Sequence, residues 1–198
     1  MKKILILFSH PKFEKSRVNQ TLIHHIIGKE NVTVHDLYEE YPDFNIDVHA
    51  EKELLNSHDV IIWHHPFYWY SCPPLMKQWL DLVLEFNWAY GPKGKALLDK
   101  ICLNTITTGA SKDMYCSEGY NSFTIEQFLR PFEQTAILCG MQYFPPFAVM
   151  GTHTLSDEAL HDYKNNYGKF IDLLQAGLSM NDFESKSFIN DIPQLKQA

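Results

Sequence analysis

Apolar and polar positions along the chain predict strands and helices in alternation. Residues 3–8 form a continuous apolar run of strand length, the pattern of a parallel strand covered on both faces. After a polar loop, residues 9–15, the apolar positions Val18, Leu22, Ile23, Ile26 and Ile27 fall on one helical face. Ser16 is placed to cap that helix, and Gly28 stands where a left-handed C-terminal residue belongs. Residues 31–37 are the second predicted strand, residues 47–57 a short polar helix, and Val60-Ile61-Ile62-Trp63 the core of a third strand. Pro73-Pro74 opens a helix with Leu75, Met76, Trp79, Leu80, Val83 and Leu84 on one face; proline suits a first turn because its missing N–H would be unpaired there. Residues 100–107 form the fourth strand. A helix is expected near 124–139, with Pro131 placed to kink or divide it, and the fifth strand within 141–150. Ser156 caps a last helix carrying Leu160, Tyr163, Tyr167, Phe170, Ile171 and Leu174 at helical spacing.

Five such strand–helix units imply an α/β fold: a five-stranded parallel sheet of order 2-1-3-4-5 with helices on both faces. Ligand is expected at the carboxyl ends of the strands, near the switch point. Residues 1–178 form this domain. Residues 179–198 lack periodicity and are expected to dangle or to dock on a partner.

A length of 198 residues suits one domain, and 45% apolar with 21% charged residues is an ordinary folded profile. No segment approaches the roughly 18 unbroken apolar residues of a membrane span. The N-terminal apolar run stops at Ser9-His10-Pro11 without a small-residue cleavage site, which favours a first strand over a signal peptide. The net charge of −7 argues against sequence-independent nucleic-acid binding but not against a phosphate held by helix N–H groups. Cys72, Cys102, Cys116 and Cys139 form no CxxC pair, so reduced thiols and a cytoplasmic location are expected. Ten histidines include no HExxH, so no metal site is expected; GxSxG, GxGxxG and P-loop patterns are also missing.

Three loops carry the candidate chemistry. After strand one, Ser16, Arg17, Val18 and Asn19 combine a helix N-terminus with hydroxyl, amide and guanidinium groups, a set that suits a phosphate; a plain capped helix fits too. His10 either contacts the ligand or caps the strand end. After strand three, Phe67, Tyr68, Trp69 and Tyr70 are four consecutive aromatics, which one core cannot bury together. They suit an aromatic shelf for a planar ligand, with a protein interface as the competing explanation. After strand four, Thr107, Thr108, Gly109 and Ala110 are small enough for a ring to approach the backbone.

Together these loops resemble the NAD(P)H:quinone reductase family of flavodoxin-like proteins. The resemblance rests on Pro66-Phe67-Tyr68-Trp69-Tyr70 with Pro73-Pro74-Leu75-Met76-Lys77-Gln78-Trp79, on Trp88-Ala89-Tyr90-Gly91, Thr107-Thr108-Gly109 and Pro145-Pro146-Phe147. Asp36-Leu37-Tyr38 with Tyr41-Pro42-Asp43-Phe44-Asn45-Ile46-Asp47 resembles bacterial members that include stress-related quinone reductases and the ancillary subunits of glutathione-gated potassium efflux systems. The resemblance implies FMN, or FAD as in some relatives, held by His10, by residues 16–19, by residues 67–70 and by residues 107–110. It implies NAD(P)H as donor, a quinone or similar small molecule as acceptor, and ping-pong hydride transfer. The implied partners are a second copy of the chain, with Phe86, Trp88 and Tyr90 at the interface, and a membrane transporter, which would place the protein peripherally at the inner membrane face. A regulatory ancillary subunit and a flavodoxin-type electron carrier are the alternative functions.

Two positions depart from the family pattern. Ala110 replaces a second glycine after Thr-Thr-Gly. In the loop after strand four, Tyr115 matches the family's tyrosine, but Asn121 stands where larger relatives carry histidine. Tyr115 and Asn121 are therefore the candidate catalytic pair, and asparagine donates a hydrogen bond without relaying a proton.

Overall fold

In the computed structural model, which describes residues 1–183 and 186–196, the chain opens with β1 (Ile4–Phe8), buried along its whole length. α1 (Arg17–Ile26) follows, its start fixed by Ser16, whose hydroxyl accepts from the Asn19 N–H. Next come β2 (Val32–Asp36), the short α2 (Leu37–Glu40) and α3 (Val48–Asn56). Asp36 and Asp47 cap these helices by accepting from the Tyr38 and Ala50 N–H groups. β3 (Val60–Pro66) leads through the aromatic loop into α4 (Pro74–Val83). β4 (Ile101–Thr107), α5 (Ile125–Phe128), α6 (Arg130–Leu138), β5 (Gln142–Tyr143), β6 (Phe147–Val149), α7 (Asp157–Ala176) and α8 (Pro193–Lys196) complete the order.

The strands are parallel in the order β2-β1-β3-β4-β5, as the alternating pattern predicts, with β6 also paired to β4. The fifth strand is thus two pieces along one edge: Ile101 and Cys102 face Gln142 and Tyr143, whereas Thr105, Ile106 and Thr107 face Phe147, Ala148 and Val149. Pro145 and Pro146 have no N–H to give the ladder between them. The helix expected over 124–139 is divided at Leu129. α5 carries a capping box from Thr124 and Gln127, and Pro131 lies in the first turn of α6, where no N–H is needed.

Alternate residues of the strands face two cores. Leu5, Leu7, Ile61 and Trp63 pack with α4 and α6 on one face; Ile4, Ile6, Phe8 and Ile62 pack with α1 and α7 on the other. The first core encloses the Glu51 carboxylate, which accepts from Tyr41 Oη (2.6 Å) and Trp79 Nε1 (2.6 Å) and lies 2.7 Å from His35 Nε2. Burial opposes that charge, but these partners hold its pKa below the usual carboxylate value. The Tyr41–Asp47 region is therefore braced from inside.

The C-terminal segment docks on its own sheet rather than dangling. Ile189 N–H donates to the Pro146 carbonyl (3.0 Å), and the Asn190 side chain pairs with both the N–H and the C=O of Ala148 (2.9 and 3.1 Å). Phe183, Phe188, Ile189, Ile192 and Leu195 are buried. These apolar residues sit on short turns, so they show no helical or strand period. Residues 184–185 and 197–198 of the expected tail lie outside the described residues.

Candidate functional site

The carboxyl ends of β1, β3, β4 and β6 surround a cleft of about 650 Å³. His10, Ser16, Arg17, Val18, Asn19, Phe67, Tyr68, Thr107 and Gly109 line it, so the three loops singled out in the sequence converge on one space. Lys12, Lys15, Pro66 and a fourth loop, Thr152, His153, Thr154 and Leu155, complete the lining. Among the described residues that line it, none is acidic and three are Lys or Arg, which suits an anionic ligand.

The fourth loop was not singled out because its composition is unremarkable. The signal available was positional: it follows the last strand, at the carboxyl edge where such crevices form.

The loops are tied to each other by backbone. Phe67 N–H donates to Thr107 O (2.8 Å), Thr108 N–H to Val149 O (2.9 Å), Gly151 N–H to Ala110 O (2.9 Å) and Thr152 N–H to Thr108 O (3.0 Å). Gly109 lies on the cleft, and a Cβ there would come within 2.6 Å of His153 Nε2, so only glycine leaves both the histidine and the opening in place.

At the start of α1, Asn19 Nδ2 donates to Ser16 Oγ (2.9 Å) and to Thr107 Oγ1 (3.1 Å), while its Oδ1 lies 3.0 Å from His64 Nε2. His64 in turn meets the Tyr167 hydroxyl at 3.2 Å. Burial pushes the His64 pKa well below its ordinary value, with His65 and His10 adding to the effect, so the ring is neutral. Arg17 donates to Asp157 Oδ1 (2.5 Å) and to the Leu155 carbonyl, linking α1 to the start of α7. His10 accepts from the Lys12 N–H at Nδ1 (3.1 Å), leaving Nε2 to carry the proton; burial lowers its pKa against the pull of Glu14. Ser9 Oγ, at the end of β1, is buried without a hydrogen-bond partner.

Other candidates lie outside the lining. The Trp69 side chain is 93% exposed, and Trp69 and Tyr70 both hold positive φ (48° and 63°), a left-handed pair that costs non-glycine residues of order 1–2 kcal/mol each. Tyr70 stacks on Phe128 at 4.9 Å and donates to Asn121 Oδ1 at 3.3 Å. Thr108 and Ala110 are not among the lining residues; the Thr108 hydroxyl donates to the Ala110 carbonyl (2.6 Å). Tyr115 is half-buried against Phe67 (5.9 Å between ring centroids) and lines a second cleft. Burial raises its pKa, opposed by a hydrogen bond with Thr108. The structure therefore brings Tyr115 to the Phe67 wall and gives Asn121 to Tyr70. Among the described residues no cluster of three metal-ligating side chains occurs.

A nucleotide-like group fits these residues. The first turn of α1 offers N–H groups, a hydroxyl and a cation to a phosphate, and the Gly109 floor with the Phe67–Tyr68 wall leaves room for a flat ring. The sheet order and this crevice define a flavodoxin-like protein.

A family model described as "Flavodoxin-like fold" matches residues 2–171, and the chain belongs to that family. The glutathione-regulated potassium-efflux system ancillary protein KefG of Serratia proteamaculans is 44% identical over 169 residues, covering 85% of this chain and 92% of that protein. Among solved structures, general stress protein 14 of Treponema denticola in complex with FMN is 38% identical with a TM-score of 0.80, covering 88% of this chain and 98% of that one. An NADPH-quinone reductase from P. pentosaceus is 32% identical with a TM-score of 0.78, covering 85% and 96%.

Proposed function

We propose that the chain is an NAD(P)H-dependent flavoprotein that holds FMN in the 650 Å³ cleft and reduces quinones or similar small acceptors. The observation that carries this is the convergence of a helix start rich in N–H, hydroxyl and guanidinium groups, an aromatic wall and a glycine floor on one cleft lined, among the described residues, by no acidic side chain. The FMN complex of the Treponema relative and the NADPH-quinone reductase relative support it. Bound FMN would supply the redox chemistry, taking hydride from NAD(P)H and giving it to the acceptor in alternation. The chain's own part is positioning. Ser16, Arg17, Val18 and Asn19 hold the phosphate; His10, Phe67, Tyr68, Thr107 and Gly109 border the rest. Tyr70 packs against Phe67 (6.4 Å between ring centroids), the Thr108 hydroxyl holds the Ala110 carbonyl, and Tyr115 keeps a protonated hydroxyl for the acceptor, while the exposed Trp69 side chain supports none of these. Heating the purified protein, identifying the released flavin as FMN or FAD, and measuring turnover with NADH and NADPH against a simple quinone tests this. Catalytic turnover with FMN release is the expected result.

A homodimer is part of the same proposal. Phe86 is 61% exposed, and Leu82, Ile137 and Leu138 are also exposed apolar side chains. Trp88 and Tyr90, by contrast, are half-buried against the core, so Phe86 carries the interface expectation. Light scattering of the FMN-loaded protein reads the oligomeric state.

The similarity to KefG favours a second role, as an ancillary subunit of a membrane transporter. Among the described residues no helix is long and apolar enough to cross a membrane, so association would be through a protein contact. Both roles suit a cytoplasmic protein, and co-purification with a transporter that is retained in a flavin-free variant would separate them.

A further inference from the structure

The family match ends at residue 171, and the chain then continues into the docked segment described above. That segment reaches the loop that carries Tyr115. Lys112 lies in a single 3-10 turn, Lys112–Met114, directly before Tyr115. Its ammonium stands 4.8 Å from the centroid of the Phe188 ring and 3.6 Å from an Asp191 carboxylate oxygen. Phe188 is itself buried, and the neighbouring Ile189 and Asn190 are bonded to the backbone around β6. The grip on Lys112 is therefore anchored to the sheet.

Within the loop, backbone bonds run locally: Met114 N–H to Ser111 O, Tyr115 N–H to Lys112 O, Gly119 N–H to Cys116 O, and Asn121 N–H to Met114 O. Such a loop holds its own shape but has few backbone ties to the sheet beyond Ala110. Between it and the C-terminal segment lies a cleft of about 460 Å³, with Tyr115 and Cys116 on one side and Phe188 and Asp191 on the other. The Tyr115 ring thus stands between this cleft and Phe67, which lines the larger one.

We propose that residues 186–196 form a strap that positions Tyr115, with Lys112 as the positioning residue through which Phe188 and Asp191 fix the loop. That Tyr115 serves the acceptor rests on the proposed function; that the strap fixes the loop does not. Lys112 is largely exposed, so each contact is of the modest kind expected at a surface, and the effect on loop opening should be about threefold to tenfold.

Hydrogen exchange of the full chain, with and without FMN, tests the strap. Lys112→Ala, which removes the cation, and Phe188→Leu, which keeps an apolar anchor but removes the aromatic face, should both speed exchange at residues 111–121 by about threefold to tenfold. Peptides from β1 should exchange as in the wild type, and Lys112→Arg should restore slow exchange. In steady-state assays the same two variants should raise KM for the quinone by a similar factor, with kcat and the FMN dissociation constant little changed. Wild-type exchange at 111–121 in both variants would overturn the strap. So would faster exchange spread equally over β1, which is the mark of general destabilisation. A chain that bound no flavin would remove the proposed activity while the flavin-free exchange data still decided the strap.

Discussion

The Asn19 carboxamide oxygen lies 3.0 Å from His64 Nε2, and this contact sets the proton on a histidine that solvent does not reach. Because Asn19 commits its N–H groups to Ser16 and Thr107, its oxygen is the atom that faces His64, and the neutral ring carries its proton on Nε2. The first turn of α1 is thereby bonded to β3 and β4. Asn19→Ala would leave the His64 N–H unpaired. It should lower unfolding free energy by about 1–3 kcal/mol and weaken FMN about tenfold, measured by urea denaturation and fluorescence titration.

Two buried neutral histidines make stability depend on pH. His64 is held well below its ordinary pKa, and burial pushes His65 down to about 4. In the unfolded chain both bind a proton near pH 6.5, whereas the folded protein leaves them neutral. Their contribution is complete above pH 6.5 and is lost as pH falls from there toward 4, about 3 kcal/mol for His65 over that window. The urea midpoint should fall between pH 7 and pH 4.5, and His65→Gln should make that fall shallower. An unchanged slope in the variant would remove His65 from the explanation.

Arg17 is paired with Asp157 and the Leu155 carbonyl across the end of the cleft. A phosphate monoester arriving at the α1 terminus would compete for the same guanidinium. Arg17→Ala should weaken FMN about tenfold or more, consistent with a charge-assisted bond of roughly 1.5–3 kcal/mol, while leaving riboflavin affinity as it was. Asp157→Asn should leave FMN affinity equal or tighter. Calorimetric titration of both ligands against both variants checks the pair.

Tyr115 packs against Phe67, whereas the Asn121 side chain accepts from Tyr70. The Tyr115 hydroxyl, raised in pKa by burial, remains a donor through neutral pH; Asn121 is occupied by Tyr70. Tyr115→Phe should lower kcat/KM by about ten- to a hundredfold with flavin content intact, and Asn121→Ala should do less. Stopped-flow measurement of the two half-reactions distinguishes a catalytic hydroxyl from one that only shapes the pocket.

The sheet was legible because buried parallel strands read as unbroken aliphatic runs, as in Ile4–Phe8, and because α1 and α4 carry their apolar residues at helical spacing. The C-terminal segment was not, since Phe188, Ile189, Ile192 and Leu195 reach the core from short turns, while Ile189 and Asn190 bond to Pro146 and Ala148 more than forty residues away. The aromatic run was legible as exceptional but not residue by residue. Phe67 turns inward and Trp69 outward, because two positive-φ residues reverse the chain there. His153 was missed because only the folded sheet brings it against Gly109. In the Tyr41–Asp47 stretch, Tyr41 and Ile46 are core, Tyr41 held by the Glu51 brace and Ile46 by packing.

The most direct test is anaerobic stopped-flow absorbance of the protein loaded with FMN, mixed first with NAD(P)H and then with a quinone. The flavin band should bleach on the first mixing and return on the second, each at a rate able to support turnover. A protein that cannot be loaded with FMN, or a bound flavin that neither NADH nor NADPH bleaches, would contradict the account.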